Sequence, residues 1–431
     1  MGLLEVAGAL LALTALFAWV NQRWIGLPTP IGVMLVALAV SLALVLAEAF
    51  DLAPAAAGAR ALLARVDFGE TVLQGMLSFL LFAGALHVDL SDLARQKRII
   101  GLLATVGLLV STLIVGFGSW VLLRWLGLEL PLVHCLLFGA LISPTDPIAV
   151  MGILRRAGAP PSLETKIVGE SLFNDGVAVV LFLVLAGVAA GQTEPQPAAI
   201  ATLLVQEAVG GALFGLAAGW LAYRMLRAVD SHDVEILLTL ALVTGGYALA
   251  DALHLSGPIA IVVAGLLIGN HGRLLAMSAR TREHLDTFWG VLDELLNALL
   301  FVLLGLEVLV VSLEAGPLAA GVLMVPLVLL ARLFSVGLPV SLLRPLRRFS
   351  PGAVRVLTWG GLRGGVSVAL ALSLPPGPER DLILTLTYVV VVFSVLVQGL
   401  TVGPVVRVLT SSGDGRKAAG GEGEGRVGRA G

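Results

Sequence analysis

Residues 131–154 read PLVHCLLFGALISPTDPIAVMGIL, an apolar segment of 24 residues interrupted near its centre by Ser143-Pro144-Thr145-Asp146-Pro147. An apolar segment of about 20 residues crosses a hydrocarbon core of roughly 30 Å as a helix. The two prolines remove backbone donors, so the carbonyls of Ala140 and Ser143 lose their helical partners. Freed carbonyls at membrane depth are good ligands for a hard cation, and Asp146 stands in the same break. The segment predicts a broken membrane helix built around a charged group.

The whole chain shares this apolar character. Of its 431 residues, 58% are apolar and 13% are charged, whereas an ordinary soluble domain is about 25% charged. Alternating patterns of about ten residues, which mark outer-membrane strands, are absent. The composition therefore predicts an all-α polytopic membrane protein. We place about thirteen transmembrane helices, at residues 3–20, 31–48, 70–88, 98–124, 131–154, 163–190, 199–226, 234–253, 257–270, 285–312, 317–343, 353–374 and 381–407.

Basic residues predict the orientation of these spans. Alternate loops, beginning after the first span, hold sixteen Lys and Arg residues, and the intervening loops hold four. Basic loops stay on the cytoplasmic side during insertion. The N-terminus is therefore expected outside and the C-terminus in the cytoplasm. The excess of Arg over Lys, 24 to 3, points to a GC-rich prokaryotic genome, and hence to a prokaryotic cell membrane.

Other features of the chain limit its mechanism. Residues 1–409 are assigned to the membrane domain, and the Gly-rich, charged tail 410–431 is expected to be disordered. No G-x-x-x-x-G-K-[ST] loop occurs, and no segment between spans is long enough for an ATPase module. The single cysteine, Cys135, can form neither an internal disulfide nor a metal site. Active transport would have to be driven by an ion gradient, without a cofactor and without a nucleic-acid partner.

The sixth span carries the densest group of polar residues. Its sequence, Gly169-Glu170-Ser171-Leu172-Phe173-Asn174-Asp175-Gly176, places Ser171, Asn174 and Asp175 on one helix face. Glu170 lies beside Asn174 at a spacing of i, i+4. Oxygen ligands from a carboxylate, a hydroxyl, an amide and freed carbonyls suit sodium and suit neither zinc nor copper.

A second interrupted span is expected in the other half of the chain. Gly360-Gly361-Leu362-Arg363-Gly364-Gly365 places four glycines around one arginine. Interrupted helices at corresponding places in two halves indicate the binding site of a secondary transporter. The broken spans are the fifth of the first six and the fifth of the last six. This position predicts two inverted six-helix repeats whose broken helices cross near the membrane midplane.

Four motifs, in order along the chain, resemble those of one family. SPTDPIAV, GESLFNDGVAVVLF, FWGVLDELLNALLFVLLGLE and WGGLRGGVSVALALSLP look like the monovalent cation:proton antiporter-1 family, the NhaP-type sodium/proton antiporters. The resemblance extends to about residue 407. It implies a homodimer in the lipid bilayer that is a transporter and not an enzyme. Such a protein exchanges Na⁺ for H⁺ by alternating access and serves pH and sodium homeostasis.

The resemblance also implies roles for single residues. Asp175 would be the carboxylate that binds the ion or the proton, and Asp146, Thr145 and Ser171 would be supporting ligands of Na⁺. Asn174 would complete the set. Electrogenic relatives carry a second aspartate at this position, so the neutral amide implies electroneutral 1:1 exchange.

Further roles follow from the same resemblance. Glu170 and Arg363 would form a buried ion pair that joins the two broken regions. Many members read LLFEGAL in the third span, where this chain has Ala83. Without a carboxylate there the cation shell of those members cannot be complete, which leaves open whether Na⁺, K⁺ or Li⁺ is preferred. A core bundle of spans 4–6 and 11–13 would move against a scaffold of spans 1–3 and 7–10.

Other charged residues inside spans have structural interpretations. Glu307 and Arg332 lie in neighbouring spans and are expected to pair with each other or with Glu294. Glu207 and Asp251 are expected near span ends or in water-filled vestibules.

Two other classes of function share some of these features. A cation channel would also use acidic residues and broken helices, but it would conduct current without proton coupling. A membrane-embedded hydrolase could use Asp146 and Asp175 as a catalytic dyad. Such a hydrolase would leave Arg363 without a role. A K⁺/H⁺ or mixed-cation antiporter is the nearest alternative to Na⁺/H⁺ exchange.

Overall fold

The structure, a computed structural model, describes residues 3–50, 75–156, 161–192, 196–273, 277–309, 314–343 and 352–408, together with residues 311 and 345. Within these residues all helices are α-helices with short 3₁₀ or π turns, and the extended structure is one isolated antiparallel bridge. The predicted disordered tail, 410–431, lies outside the described residues. So do the first residues of the predicted third span, 70–74.

Fifteen helices occur in the described part of the chain. They are α1 (Leu3–Val20), α2 (Thr29–Ala49), α3 (Leu77–Leu86), α4 (Leu90–Trp125), α5 (Leu132–Ile142), α6 (Ile148–Arg156), α7 (Pro161–Ala189), α8 (Pro197–Leu226), α9 (His232–Ala252), α10 (Gly257–Leu267), α11 (Ala279–Leu306), α12 (Ala315–Leu343), α13 (Ala353–Trp359), α14 (Gly365–Leu372) and α15 (Pro378–Val408).

The helices bear out the predicted class. Eight of them in the described residues are long and apolar enough to cross a membrane, and three shorter helices are also apolar. Each of the thirteen predicted spans overlaps at least one of the fifteen helices. The all-α polytopic fold is therefore confirmed. The number of crossings and the inverted relation of the two repeats stay predictions.

Local sequence explains where several helices begin. Asp89 caps α4, and its Oδ1 accepts from the N–H groups of Ser91 at 2.7 Å and Asp92 at 3.3 Å. Ser256 and Ser278 cap α10 and α11 with their side-chain oxygens. Each cap satisfies backbone donors that have no partner inside the helix.

Small residues bring several helices into close contact. A Cβ atom at Gly139 of α5 would overlap the carbonyl oxygen of Thr112 in α4. A Cβ atom at Gly215 of α8 would likewise overlap the carbonyl oxygen of Ala260 in α10. Membrane helices associate mainly through such close packing, because lipid is as apolar as their side chains. These contacts fix α5 against α4 and α10 against α8.

Two apolar clusters fill the interior. The larger one joins residues of α1, α2, α4–α7 and α11–α15, with a few from α3 and α10. The second consists of residues from α3, α8, α9, α10 and the first half of α11, together with Met277. Its centre is Trp289, which is fully buried, packs against Phe82 with ring centroids 4.6 Å apart, and donates from Nε1 to Thr239 Oγ1 at 3.1 Å. Apart from Met277, we call this group, from α3 and α8–α11, the Trp289 cluster.

Candidate ion site at the crossing of two broken helices

Both predicted breaks are present, and they meet. The first separates α5 from α6 at residues 143–147, and the second separates α13 from α14 at residues 360–364. The two extended segments form the antiparallel bridge, in which the N–H of Asp146 donates to the carbonyl of Leu362 at 2.8 Å. Prolines in one segment and glycines in the other prevent a continuous helix. Backbone groups that the breaks release therefore satisfy each other.

A turn of α15 supports the second break. The N–H of Arg363 donates to Ser394 Oγ at 2.8 Å, and Ser394 Oγ donates to Gln398 Oε1 at 2.8 Å. Gln398 Nε2 donates in turn to the carbonyl of Trp359, the last residue of α13, at 3.0 Å. Ser394–Gln398 forms a π turn, a feature that recurs where helices carry functional groups.

Arg363 neutralises the end of α5. Its Nη1 donates to the carbonyls of Ser143 at 2.6 Å and Pro144 at 2.8 Å, and the side chain is buried. The last carbonyls of a helix carry partial negative charge, which a guanidinium stabilises. This contact corrects the expectation that the freed Ser143 carbonyl is available to a cation, because Arg363 already occupies it.

Glu170 has a different partner from the one predicted. Arg332 of α12 forms a bidentate ion pair with it, with Nη2 to Oε2 at 3.0 Å and Nη1 to Oε1 as the second contact. Arg332 Nε also donates to the carbonyl of Leu357 at 3.3 Å. The predicted Glu170–Arg363 pair is therefore wrong, because Glu170 contacts α12 while Arg363 contacts the end of α5. The expected pairing of Arg332 with Glu307 or Glu294 is also wrong, because the carboxylate that Arg332 binds is Glu170.

Three polar side chains join the first break to α7. Thr145 Oγ1 and Ser171 Oγ lie 2.9 Å apart. Asn174 Nδ2 donates to Thr145 Oγ1 at 3.0 Å, and Asn174 Oδ1 accepts from the N–H of Thr145 at 3.5 Å. All three side chains are buried. The network fixes Thr145 and, with it, the neighbouring Asp146 against α7.

The two predicted carboxylates face one cavity. Asp146 and Asp175 line a space of about 120 Å³, together with Thr145, Ser171 and residues of α3, α11 and α14. Roughly 10–15 Å³ of cavity volume is enough to hold one water molecule, so the cavity has room for a partly hydrated cation. Asn174 is not among the described residues that line it. The structure thus brings four of the five predicted ligands to the cavity and places Asn174 behind Thr145.

Comparison with known proteins identifies the family. Residues 10–408 match the family described as "Sodium/hydrogen exchanger, transmembrane". The chain belongs to this exchanger family. The Na(+)/H(+) antiporter NhaP of Pseudomonas aeruginosa is 52% identical, over 94% of this chain and 96% of that protein. The Na(+)/H(+) antiporter NhaH of Halobacillus dabanensis is 38% identical, over 79% of this chain and 84% of that protein.

A solved structure supports the fold of this exchanger-family chain. The sodium proton antiporter MjNhaP1 from Methanocaldococcus jannaschii, at pH 8, superimposes with a TM-score of 0.74. The match covers 95% of this chain and 100% of that chain at 22% identity. At this identity the likeness concerns the fold alone, and it agrees with the polytopic architecture described above.

The exchanger's cavity contains one carboxylate that we did not predict. Asp293 of α11 lines it, whereas the neighbouring Glu294, which we did consider, is exposed. Helical periodicity could have separated them. The residues Leu285, Trp289, Asn297 and Phe301 are all buried and repeat at intervals of four, and Asp293 occupies the missing place in that row.

Ala83 lies beside this cavity and not on its wall. Leu81 and Gly84 of α3 line the cavity, while Ala83 packs in the Trp289 cluster, and its carbonyl lies 2.8 Å from His87 Nδ1. Within the described part of α3, no carboxylate faces the cavity.

Proposed function

We propose that this exchanger-family chain exchanges Na⁺ for H⁺ across a cell membrane through Asp175. The observation that carries the proposal is the shared cavity. Asp175 from α7 and Asp146 from the first break face one cavity at the crossing of two broken helices. The permanent charge of Arg363 is bound to the carbonyls that end α5, so it holds the crossing together. The relatives named above are antiporters for the same two ions.

Competition for one carboxylate couples the two ions. An unpaired carboxylate is costly to bury in an apolar environment. The site at Asp175 therefore changes the membrane face to which it is open only when Asp175 has bound a proton or a cation. Asp146 supplies a second carboxylate to the cation, and the hydroxyls of Thr145 and Ser171 supply neutral oxygens. These four groups share the cavity wall. Oxygen ligands of this kind suit a hard monovalent cation.

The neutral side chain of Asn174 supports 1:1 exchange. Its amide is bound to Thr145 through both polar atoms, so it keeps the break in place. Position 174 carries no titrating group, which leaves Asp175 as the carboxylate of α7 that exchanges a proton for a cation. One proton leaving for each Na⁺ arriving moves no net charge across the membrane.

Alternating access requires two parts that move relative to each other. We propose a core bundle of spans 4–6 and 11–13 and a scaffold of spans 1–3 and 7–10, with the scaffold forming a homodimer. The Trp289 cluster supports this division, because it unites α3 with α8–α11. The sixteen basic residues of alternate loops support a cytoplasmic C-terminus. Exchange in this orientation would serve sodium and pH homeostasis of the cell.

The experiment is proton movement in proteoliposomes after addition of Na⁺, K⁺ or Li⁺, at zero membrane voltage and at two other clamped values. Wild type is compared with Asp175→Asn. Sodium-driven proton flux that ignores voltage and disappears in the variant is the expected result. Flux that follows voltage would refute the 1:1 stoichiometry. Absence of coupled flux with all three cations in wild type would refute the antiporter.

A further inference from the structure

Asp293 is a carboxylate of the cavity that the exchange step does not use. It lies on α11 and faces the same space as Asp146 and Asp175. No described Lys or Arg side chain forms an ion pair with it. A half-buried carboxylate at a cavity wall attracts cations, because low-dielectric walls focus its field.

A second polar group stands on the same face of α11. Asn297 follows Asp293 by one helical turn, and Leu300, at i+7 from Asp293, again lines the cavity. Asn297 is 3% exposed, its amide nitrogen lies beside the Asp293 carboxylate, and its Oδ1 has no hydrogen-bond partner among the described residues. A buried amide oxygen without a hydrogen-bond partner is energetically costly. The amide oxygen of Asn297 would bind a cation, or its hydration water, that passes along this face.

Asp293 and the two ion-site carboxylates belong to different parts of the molecule. α11 begins in the Trp289 cluster, through Leu285 and Trp289, whereas Asp175 lies on α7, outside that cluster. The cavity-lining residues of α7 all fall between Val168 and Asp175, on the N-terminal side of the carboxylate. If the two bundles move against each other, Asp293 faces the ion site in one state and is separated from it in the other.

We infer that Asp293, with Asn297, draws the cation into the cavity from one membrane face and passes it to Asp146 and Asp175. The inference rests on the proposed exchange function and deepens it. Asp293 is then an access residue, not a member of the site that moves. It sets the apparent affinity for Na⁺ on the face to which this cavity opens. The basic loop before α11 and Lys166 at the start of α7 predict that this face is cytoplasmic.

The test measures KM for Na⁺ separately at the two faces, in everted and in right-side-out membrane vesicles. Asp293→Asn is compared with Glu294→Gln, which removes one negative charge from the adjacent, exposed position of the same helix. Asp293→Asn is expected to raise KM about tenfold at the cytoplasmic face, with maximal rate kept and KM at the outer face changed less than about twofold. Glu294→Gln is expected to behave like wild type.

Other outcomes would overturn the inference. An equal rise of KM at both faces would make Asp293 a member of the moving site. A loss of maximal rate without a change of KM would make it structural, as would failure of Asp293→Glu to keep the wild-type KM. Asp293→Ser removes the same charge and replaces Asp293→Asn if that variant does not accumulate. Wild type without any sodium-coupled proton flux would refute the proposed function itself, independently of Asp293.

Discussion

Two buried arginines serve the crossing in different ways. Arg332 forms an ion pair with Glu170, whereas Arg363 donates to the carbonyls of Ser143 and Pro144. A buried ion pair is costly to break from one side only, because the remaining charge is left without a partner. The partner of each arginine can therefore be identified by removing charges singly and together.

We expect Glu170→Met and Arg332→Met each to lower the free energy of unfolding by about 3–5 kcal/mol, because each leaves a buried charge alone. The double variant should lose less than either single variant, since it leaves two apolar side chains in contact. Denaturant titration in detergent micelles of wild type, both single variants and the double variant gives the coupling energy of this double-mutant cycle. Glu170→Met combined with Arg363→Met is the comparison. A larger coupling energy for that pair would contradict the assignment of Arg332 as the partner.

The hydroxyl of Thr145 joins two groups of α7. Thr145→Val removes the acceptor of Asn174 Nδ2 and the partner of Ser171 Oγ, both of which are buried. We expect a loss of stability of about 1–3 kcal/mol per unsatisfied group and a rise in KM for Na⁺. Thr387→Val is the matched control, because Thr387 is equally buried but donates only to Ile383 of its own helix. Equal KM in the two variants would exclude Thr145 from the cation site.

Residue-level pairings were the least predictable part of the site. The sequence marks Glu170, Arg332 and Arg363 as costly charges that need partners, but it does not tell which helix each side chain contacts. Asp293 and Glu294 differ by one position, which is about 100° of rotation on a helix. Only the buried residues of α11, which repeat at intervals of four, distinguish Asp293 from Glu294. By contrast, Ser171 and Asp175 could be placed on one helix face because i, i+4 spacing acts locally, whereas Thr145 was assigned to them only through the resemblance to the family.

At the scale of elements, the crossing depends on how closely two broken segments approach. A Cβ atom at Gly364 would overlap the carboxylate of Asp146, and one at Gly361 would approach Arg332 Nε to 2.5 Å. Prolines and glycines made both breaks predictable, since they act on their own segment. The use of the Ser143 carbonyl by Arg363 was not predictable, because it depends on the opposite segment.

Gly364→Ala tests this close approach. The added methyl group must displace Asp146, so we expect a loss of stability of about 1–3 kcal/mol from overpacking. We also expect exchange to fall by more than about tenfold, because a small misplacement of a reacting group is costly. Proton flux and thermal unfolding are measured together. Gly337→Ala, at a helical position with open space around its Cβ, is the control. It should keep the wild-type proton flux and the wild-type unfolding temperature. Wild-type exchange in Gly364→Ala would show that Asp146 need not stay in place.

At the scale of the whole molecule, the question is whether α7 moves against the helices of the Trp289 cluster. α7 packs on α10 at Gly176, where a Cβ atom would lie 3.8 Å from Ile259 Cα. Within the Trp289 cluster, a Cβ atom at Gly219 of α8 would lie 3.4 Å from Ala264 Cβ of α10. Both pairs lie close enough for an engineered disulfide. Cys135 of α5 is the single native cysteine, so each double variant adds only the two thiols of its own pair.

Oxidation of the double variant Gly176→Cys/Ile259→Cys should therefore stop sodium-coupled proton flux, because it ties the helix that carries Asp175 to the proposed scaffold. Reduction with dithiothreitol should restore the flux of the reduced variant, which is the reference for any effect of the substitutions themselves. Gly219→Cys/Ala264→Cys joins two helices of the Trp289 cluster and should keep its flux after oxidation. Cross-linking is confirmed by mass spectrometry of the bridged peptides. Undiminished flux through fully bridged Gly176→Cys/Ile259→Cys would mean that α7 and α10 move as one body, and the boundary between core and scaffold would have to lie elsewhere.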